Sequence, residues 1–336
     1  MRKLLISIVV VLLVFASCAD RDRGAQMITI RGVVFGTYYS IIYFDDEGRI
    51  LEESIDSLFN DFNSSLSFYD PQSLLSRINR NEEVHVDDYF RVVFNRAMEI
   101  SNETDGAFDP TVFPLVSAWG FGFAERLDMT RQKIDSLLGF VGYEKIRLED
   151  GAVVKEDERV QLDFNAIAKG YAADVVGNFL ESKGIEAYMV EIGGDLVVRG
   201  NRPDKRKWRI GLEIPAERDD APQQWDYLVE IENTGLATSG DYRKYYEADG
   251  QRLSHTIDPQ TGYPVGHSLM SVSVFAGNGM DADAYATAFM VMGLERSITF
   301  VEARDDLEAY FIYADNGGFS YYSTSGLELI SRHDLQ

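Results

Sequence analysis

The spacing of hydrophobic residues changes several times along this 336-residue chain. Alternating stretches rich in Val, Ile and Tyr predict strands, and apolar residues at helical spacing predict helices. The predicted strands cover 28–44 (a pair turning at Gly36), 146–162 (a hairpin turning at Asp150-Gly151), 187–199, 208–214, 227–232, 269–276 and 309–313. The predicted helices cover 51–66, 73–78, 89–104, 130–138, 166–183, 282–292 and 297–303. Because strands and helices are mixed without strict alternation, we expect an α+β fold, or an α/β fold with mixed sheets.

The N-terminus has the pattern of a secretory signal. Arg2 and Lys3 precede an almost wholly apolar run from Leu4 to Phe15, which is too short for a membrane span. Ala16-Ser-Cys18 follows and resembles a bacterial lipobox. A signal peptide with an incidental cysteine is the alternative interpretation.

The favoured interpretation divides the chain into three parts. We expect residues 1–17 to be a lipoprotein signal peptide, Cys18 to be lipidated, residues 18–27 to be a tether and residues 28–333 to form a single domain. The mature protein would then be anchored by lipid to a bacterial membrane, with the inner membrane favoured, and would face the periplasm.

The net charge of −23 and the sequence pI near 4.5 limit the classes of partner. Such acidity disfavours nucleic acid and anionic lipid surfaces, which are bound through basic patches. It also means that an anionic ligand would need a local positive charge, which a divalent cation could supply. Cys18 is the only cysteine, so no disulfide can form within the chain.

The segment Asp281-Ala-Asp-Ala-Tyr-Ala-Thr287 places oxygen ligands on a predicted helix. Asp283 and Thr287 are four residues apart and share one face of that helix. A carboxylate with a hydroxyl suits a hard cation such as Mg²⁺, which takes further ligands from phosphate and water. Alternatively, Asp281 caps the helix and Asp283 interacts favourably with its dipole.

The segment Leu162-Asp-Phe-Asn-Ala-Ile-Ala-Lys169-Gly predicts a phosphate site. Asp163 is expected to end a strand, and Lys169 lies in the helix that follows. The free N–H groups at a helix N-terminus attract phosphate. A capped helix with a solvent-facing lysine is the alternative, and the GxxxxGK[ST] motif of a Walker loop is absent.

A third group of candidates combines one histidine with aromatic residues. His255 lies beside acidic and turn-forming residues in Ser254-His-Thr-Ile-Asp-Pro-Gln-Thr-Gly262, which makes it a candidate general base. Trp119-Gly-Phe-Gly122 and Tyr69 could clamp a flat ring. A structural histidine and core aromatics are the corresponding alternatives.

Taken in order, these motifs resemble one family, the ApbE-type FAD:protein FMN transferases, which are often exported lipoproteins. The resemblance covers about residues 28–330, and the matching stretches are Gly36-Thr-Tyr38, Leu66 to Asn79, Asp105-Gly-Ala-Phe-Asp-Pro-Thr111, Trp119 to Gly122, Asp163 to Asp174, Gly193-Gly-Asp195, Thr238-Ser-Gly-Asp-Tyr-Arg243, Ser254 to Gly262 and Asp281 to Thr287. The stretches around His255 and Asp283 are highly specific as a pair.

The resemblance implies an α/β core, a flanking subdomain and an FAD crevice between them. It implies Mg²⁺-dependent transfer of FMN from FAD to a Thr or Ser hydroxyl of an acceptor protein, with release of AMP. The metal would be held by the Ala166 carbonyl and the Asp283 and Thr287 side chains, and His255 would be the catalytic base. The implied flavin and adenine contacts are Phe35 (where Met is usual), Tyr69, Ala107, Phe108, Asp109, Asp163, Lys169 and Ile257.

Three alternatives remain open at this point. A Mg²⁺-dependent FAD pyrophosphatase would use water in place of the protein hydroxyl and give FMN and AMP. A non-catalytic lipoprotein would bind FAD without cleaving it, and a plain solute-binding lipoprotein would leave the metal-like residues unexplained. For the transferase, the resemblance implies an acceptor that is a membrane subunit of an electron-transfer complex.

Overall fold

The structure is a computed structural model that describes residues 25–121, 127–214, 225–240, 245–248, 251–316 and 318–335. The predicted signal peptide, Cys18, Gly122 and residues 241–243 of one motif lie outside the described residues. In the described ranges, no helix has both the length and the apolar character needed to cross a membrane.

The helices and strands follow the hydrophobic pattern closely. The helices are α1 Glu52–Leu66, α2 Leu74–Asn79, α3 Asp88–Glu103, α4 Phe113–Ala118, α5 Arg131–Leu138, α6 Ala168–Ser182, α7 Gly279–Met292 and α8 Leu294–Glu302. The strands are β1 Gln26–Val34, β2 Thr37–Asp45, β3 Ile146–Glu149, β4 Ala152–Lys155, β5 Tyr188–Ile192, β6 Asp195–Arg199, β7 Trp208–Glu213, β8 Trp225–Ile231, β9 Thr234–Gly240, β10 Tyr245–Ala248, β11 Gln251–Ser254, β12 Leu269–Ala276, β13 Leu307–Asp315, β14 Gly318–Ser323 and β15 Leu329–Ser331. Short 3-10 helices cover Tyr143–Lys145 and Arg332–Leu335.

An eight-stranded sheet organises the fold, with strand order β1-β2-β5-β6-β9-β12-β13-β14. Each neighbouring pair in it is antiparallel. Alternate residues of a strand point to opposite faces. Val197 and Phe311 therefore join the helical core, whereas Val198 and Ile312 pack with the small sheet β15-β8-β7 on the other face. The predicted α+β class is confirmed.

The main core lies between the sheet and the helices. Ile55, Phe59 and Phe62 recur on one face of α1 and are buried there. α7 is buried on almost all sides, and its alanines allow close packing of neighbouring backbones. A separate cluster of Leu115, Trp119, Ile134, Val141 and Ile257 joins α4 and α5 to the segment that contains His255. This cluster is the core of the flanking part of the fold.

Several predicted boundaries are corrected. α7 begins at Gly279 rather than at 282, because Asn278 caps it by accepting a hydrogen bond from the Asp281 amide. Asp163 does not end a strand, since its segment is irregular and the preceding hairpin ends with β4. β1 includes residues 26 and 27, so the expected tether ends before Gln26. α4, β9, β10, β11, β14 and β15 were not predicted.

The N-terminal turns of α6 and α7 touch at two glycines. A Cβ on Gly170 would lie 2.0 Å from the Gly279 carbonyl oxygen, and a Cβ on Gly279 would lie 2.6 Å from the Gly170 carbonyl oxygen. Real Cβ atoms do not approach backbone oxygen so closely, so both positions require glycine. Asp174 of α6 accepts hydrogen bonds of 2.8 Å from the Gly279 and Met280 amides, and therefore caps α7 from outside.

We predict that Gly170→Ala destabilises the protein. Alanine favours a helix interior by about 1 kcal/mol over glycine, but here its methyl group would force the two helices apart. The expected net loss is about 1–3 kcal/mol of unfolding free energy, measured by urea denaturation. Gly277→Ala is the control, since a Cβ there meets nothing within 4 Å. Equal unfolding midpoints for the two variants would contradict the prediction.

Candidate functional site

Asp283, Lys169 and Asp195 form a charged cluster where α6, α7 and β6 meet. Asp283, in α7, is 4% exposed, and its Oδ2 accepts a hydrogen bond of 3.1 Å from the Gly170 amide. The Lys169 ammonium donates to Asp195 Oδ2 and lies 4.0 Å from Asp283 Oδ1. The cluster therefore pairs one cation with two carboxylates in a largely buried position.

The turn Gly193-Gly194 places Asp195 in this cluster. Gly193 has φ +61, and a Cβ there would lie 2.8 Å from the Thr37 side chain. Asp195 follows as the first residue of β6 and is 3% exposed. Burial raises the pKa of the Asp195 carboxyl group, and the Asp283 charge adds to this rise while Lys169 opposes it. Although burial alone would lower it, the pKa of Lys169 is raised by the two carboxylates.

The predicted metal ligands lie beside the same junction. Thr287 is one helical turn beyond Asp283 on α7 and is half-buried. Ala166 lies just before α6, and the amide of Gly170, four residues later, donates to Asp283. A carboxylate, a hydroxyl and a carbonyl are hard oxygen donors that fit a cation such as Mg²⁺. Groups of three or more His, Cys, Asp or Glu arranged to hold a metal do not occur in the described part of the chain.

Asp281 has a structural role. Its Oδ1 accepts a hydrogen bond of 2.7 Å from Arg96, and its Oδ2 accepts one of 3.1 Å from Asn278. The alternative that Asp281 itself caps α7 is wrong, because Asn278 is the cap and Asp281 lies in the first turn. The ion pair between Arg96 and Asp281 joins α3 to α7, and Asp281 lies two residues before Asp283.

Asp109, with its neighbours Ala107 and Phe108, is buried in this structure. Its Oδ1 accepts hydrogen bonds from the Thr111 amide and hydroxyl at 2.7 and 2.6 Å, and its Oδ2 accepts one of 3.0 Å from the Tyr143 amide. Burial raises the pKa of Asp109 to about 6, against the effect of these donors. Both of its oxygens are thus used to hold the loop in place.

Asp163 is joined to that loop, and its charge acts on Tyr69. The Asp163 amide donates to the Pro110 carbonyl at 2.7 Å, which joins the two segments. Burial raises the pKa of the Tyr69 phenol, and the Asp163 charge raises it further. Tyr69 is nevertheless 67% exposed. Burial also raises the pKa of the Asp163 carboxyl, which accepts a hydrogen bond from the Asn165 amide. An exposed ring beside a carboxylate is suited to stacking on a flat ligand.

Phe35 lies at a tight turn between β1 and β2. It has φ 52, a left-handed conformation that is uncommon for a residue other than glycine. Its ring packs 5.7 Å from Phe59 and 5.4 Å from Phe62, measured between ring centroids. Helix α1 therefore supports the Phe35 ring through Phe59 and Phe62.

His255 and Ile257 belong to the flanking cluster. Ile257 is buried and forms an isolated bridge with Pro264. The His255 ring lies edge-on to Phe121, with ring centroids 6.3 Å apart. Trp119 holds the end of the same loop by donating to the Gly262 carbonyl at 2.8 Å. The contacts thus arrange the predicted residues in three groups: the metal and lysine group, the Tyr69–Asp163–Asp109 group, and the His255–Ile257 group.

The sequence reasoning missed two carboxylates. Asp174 caps α7, and Asp195 pairs with Lys169. The available signal is the Gly193-Gly-Asp195 stretch, one of the motifs that carry the family resemblance. Its carboxylate was not assigned a role, because the pairing partner lies 26 residues earlier in the chain.

Comparisons with known proteins identify the family. The model of the ApbE family matches residues 35–311. A protein of Vibrio cholerae serotype O1 named FAD:protein FMN transferase is 36% identical over 326 residues, covering 94% of this chain and 96% of that protein. A protein of the same name from Haemophilus influenzae is 33% identical, covering 98% and 99% of the two chains.

The fold agrees with a solved structure of the same kind. The structure titled flavin transferase ApbE from Vibrio cholerae has a TM-score of 0.80 to this chain at 36% identity, and covers 90% of this chain and 98% of its own. The chain therefore belongs to the ApbE family, and the resemblance drawn from its motifs is confirmed.

We predict that Lys169→Met destabilises the protein in a pH-dependent way. Without the ammonium, Asp195 and Asp283 repel each other unless one takes up a proton. The pKa of Asp195 is already raised, and in the variant it would rise further. The loss of unfolding free energy is therefore present above the raised pKa of Asp195 and becomes smaller below it. At pH 8 we expect a loss of at least about 1 kcal/mol. The expected loss is smaller than the loss from breaking a fully buried ion pair, because about a third of the Lys169 side chain is exposed.

Urea denaturation at pH 8 and pH 5 measures this loss. Asp195→Asn/Lys169→Met should lose less than the sum of the single variants, because the two groups interact directly. A loss that is equal at both pH values, or that is additive, would contradict the prediction.

Proposed function

We propose that this chain is an FAD:protein FMN transferase that moves FMN from FAD to a Thr or Ser hydroxyl of an acceptor protein and releases AMP. The observation that carries the proposal is the junction of α6 and α7. It brings Lys169, Asp283 and Thr287 together in a chain that belongs to the ApbE family. The relatives named above carry the same activity in their names.

The pyrophosphate of FAD is proposed to lie at this junction. FAD is anionic and the protein has a net charge of −23, so binding needs local positive charge. The N-terminal turn of α6 provides part of it. Lys169 is proposed to contact the ligand, but Asp195 and Asp283 outweigh its charge, so a cation must supply the rest. When bound at the Ala166 carbonyl, Asp283 and Thr287, Mg²⁺ would neutralise phosphate charge and stabilise the AMP leaving group. The substrate phosphates would complete the coordination of the ion.

The flavin ring is proposed to lie near Tyr69 and Phe35. Tyr69 is an exposed ring beside Asp163, and Phe35 is supported by Phe59 and Phe62. A ring stacked on Tyr69 would exclude water from the acceptor side. Exclusion of water favours attack by a protein hydroxyl over hydrolysis, and so favours the transferase over the pyrophosphatase.

His255 is proposed as the general base. It would take the proton of the acceptor hydroxyl as that oxygen bonds to the FMN phosphorus. The bond between this phosphorus and the oxygen bridging to AMP breaks at the same time, and AMP leaves with the bond electrons. Positioning and electrostatic stabilisation supply most of the acceleration in such transfers. The Trp119 hydrogen bond to Gly262 holds the loop that carries His255.

The acceptor and the compartment are proposed from the sequence. The apolar run before Cys18 has the pattern of a lipoprotein signal. Lipidation at Cys18 would anchor the enzyme on the periplasmic side of a bacterial membrane, with the inner membrane favoured. A tethered enzyme suits an acceptor that is a membrane subunit of an electron-transfer complex.

Intact-mass spectrometry tests the activity directly. Protein beginning after Cys18 is incubated with FAD, Mg²⁺ and a peptide that carries an acceptor Thr, and AMP is assayed in parallel. We expect the peptide to gain one FMN mass with stoichiometric AMP. FMN and AMP with an unmodified peptide would support the pyrophosphatase. Bound FAD without AMP would support a binding protein. Either result would contradict the proposal.

We predict that His255→Gln lowers kcat about 100- to 10,000-fold and leaves FAD binding within a few-fold of wild type. Glutamine keeps a polar side chain of similar size but cannot accept the proton. His85→Gln is the matched control, because His85 is exposed and lies in none of the three groups. Transfer rates from rapid-quench assays and FAD affinities from flavin fluorescence provide the comparison. Similar kcat values for the two variants would remove His255 from the mechanism.

A further inference from the structure

Lys169 lies near two carboxylates but donates a hydrogen bond to only one of them. Its ammonium donates to Asp195 Oδ2, whereas Asp283 Oδ1 is 4.0 Å away, beyond hydrogen-bond distance. The other oxygen of Asp283 is already used, since Oδ2 accepts from the Gly170 amide. Oδ1 is therefore the Asp283 oxygen for which Lys169 and a bound cation would compete.

The competition follows from the cost of leaving an ammonium unpaired. Removing one partner of a buried ion pair leaves an uncompensated charge, and the remaining group seeks another partner. Among the described residues, Asp283 is then the carboxylate that lies within 4.0 Å of the Lys169 ammonium. A short movement of the flexible lysine side chain would pair it with Asp283 Oδ1.

We propose that Asp195 is a positioning residue that holds the Lys169 ammonium away from Asp283 and so keeps an Asp283 oxygen available to a divalent cation. The inference rests on the metal site in the proposed function. It gives a role to a carboxylate that the sequence motifs left unassigned, and it explains why the turn before Asp195 is so tightly fixed.

The fold keeps Asp195 in this position. Gly193 packs against Thr37 with no room for a side chain, and Ile192 pairs with Asp195 across the β5–β6 turn. Asp195 is 3% exposed, so its side chain has little freedom to follow a moving lysine. Lys169 has more freedom, because 35% of its side chain is exposed. The fixed Asp195 carboxylate thus sets the position of the more flexible Lys169 ammonium.

The test measures metal binding rather than turnover. Mn²⁺ is titrated into FAD-saturated protein without acceptor, and free Mn²⁺ is followed by electron paramagnetic resonance. We expect Asp195→Asn to weaken Mn²⁺ binding at least about tenfold, the range found when partners of metal ligands are removed. The double variant Asp195→Asn/Lys169→Met should bind Mn²⁺ more tightly than Asp195→Asn does, because the competing ammonium is absent.

Three further proteins complete the design. Asp283→Ala shows how much Mn²⁺ the protein binds when the carboxylate of the metal site is missing. Asp45→Asn is the control for removing a buried carboxylate from a salt bridge, since Asp45 is 4% exposed and pairs with Arg49 at 2.6 Å, and it should bind Mn²⁺ as wild type does. Asp195→Glu keeps the charge and should retain most of the affinity if charge and approximate position suffice to hold the lysine.

The outcomes separate this inference from the proposed function. If wild type binds no Mn²⁺, or Asp283→Ala binds it equally well, the metal site itself is wrong. If wild type binds Mn²⁺ through Asp283 but Asp195→Asn binds it as tightly, only the role of Asp195 is wrong. A double variant as weak as Asp195→Asn would also overturn the inference, because it would make Asp195 a ligand or a general structural support.

Discussion

The close contact between the first turns of α6 and α7 is the constraint on which the rest of the site depends. Gly170 and Gly279 bring two helix backbones together at a distance that no side chain would allow. Each helix then satisfies amide groups of the other, since Asp283 accepts from Gly170 and Asp174 accepts from Gly279 and Met280. Hydrogen bonds to charged groups contribute about 1.5–3 kcal/mol each, so this junction is strongly favoured once the backbones fit.

The junction has a direct consequence for the chemistry. One carboxylate oxygen of Asp283 accepts from the Gly170 amide and holds α6 in place. The other oxygen lies 4.0 Å from the Lys169 ammonium, near the N-terminus of α6, and helix N-termini are where anions bind. In the proposed function, this arrangement would hold a metal and a phosphate with few charges. In a chain of net charge −23, such local control matters more than the overall electrostatic field, which repels an anionic substrate.

The Asp105–Thr111 loop shows how structural and functional residues are interleaved in this family member. Asp109 holds the loop through three donors from Thr111 and Tyr143, and Asp163 joins the same loop through the Pro110 carbonyl. These contacts leave Tyr69 exposed beside Asp163. The flanking cluster similarly holds the His255 loop through Ile257 and Trp119. Rigid loops of this kind can present side chains to a ligand without large rearrangement.

The amino-acid sequence by itself determined the family, most helices and strands, and the identity of the site motifs. Hydrophobic period is a local property, so α1, α3 and β12 could be read directly from the residues that form them. The short strands β10, β11 and β15 are not predicted from the sequence, because each contains too few residues to show a pattern. Only the tertiary structure decided which charges meet. Asp195 pairs with Lys169, and Asp281 pairs with Arg96, because strand order and helix contact bring together residues far apart in the chain.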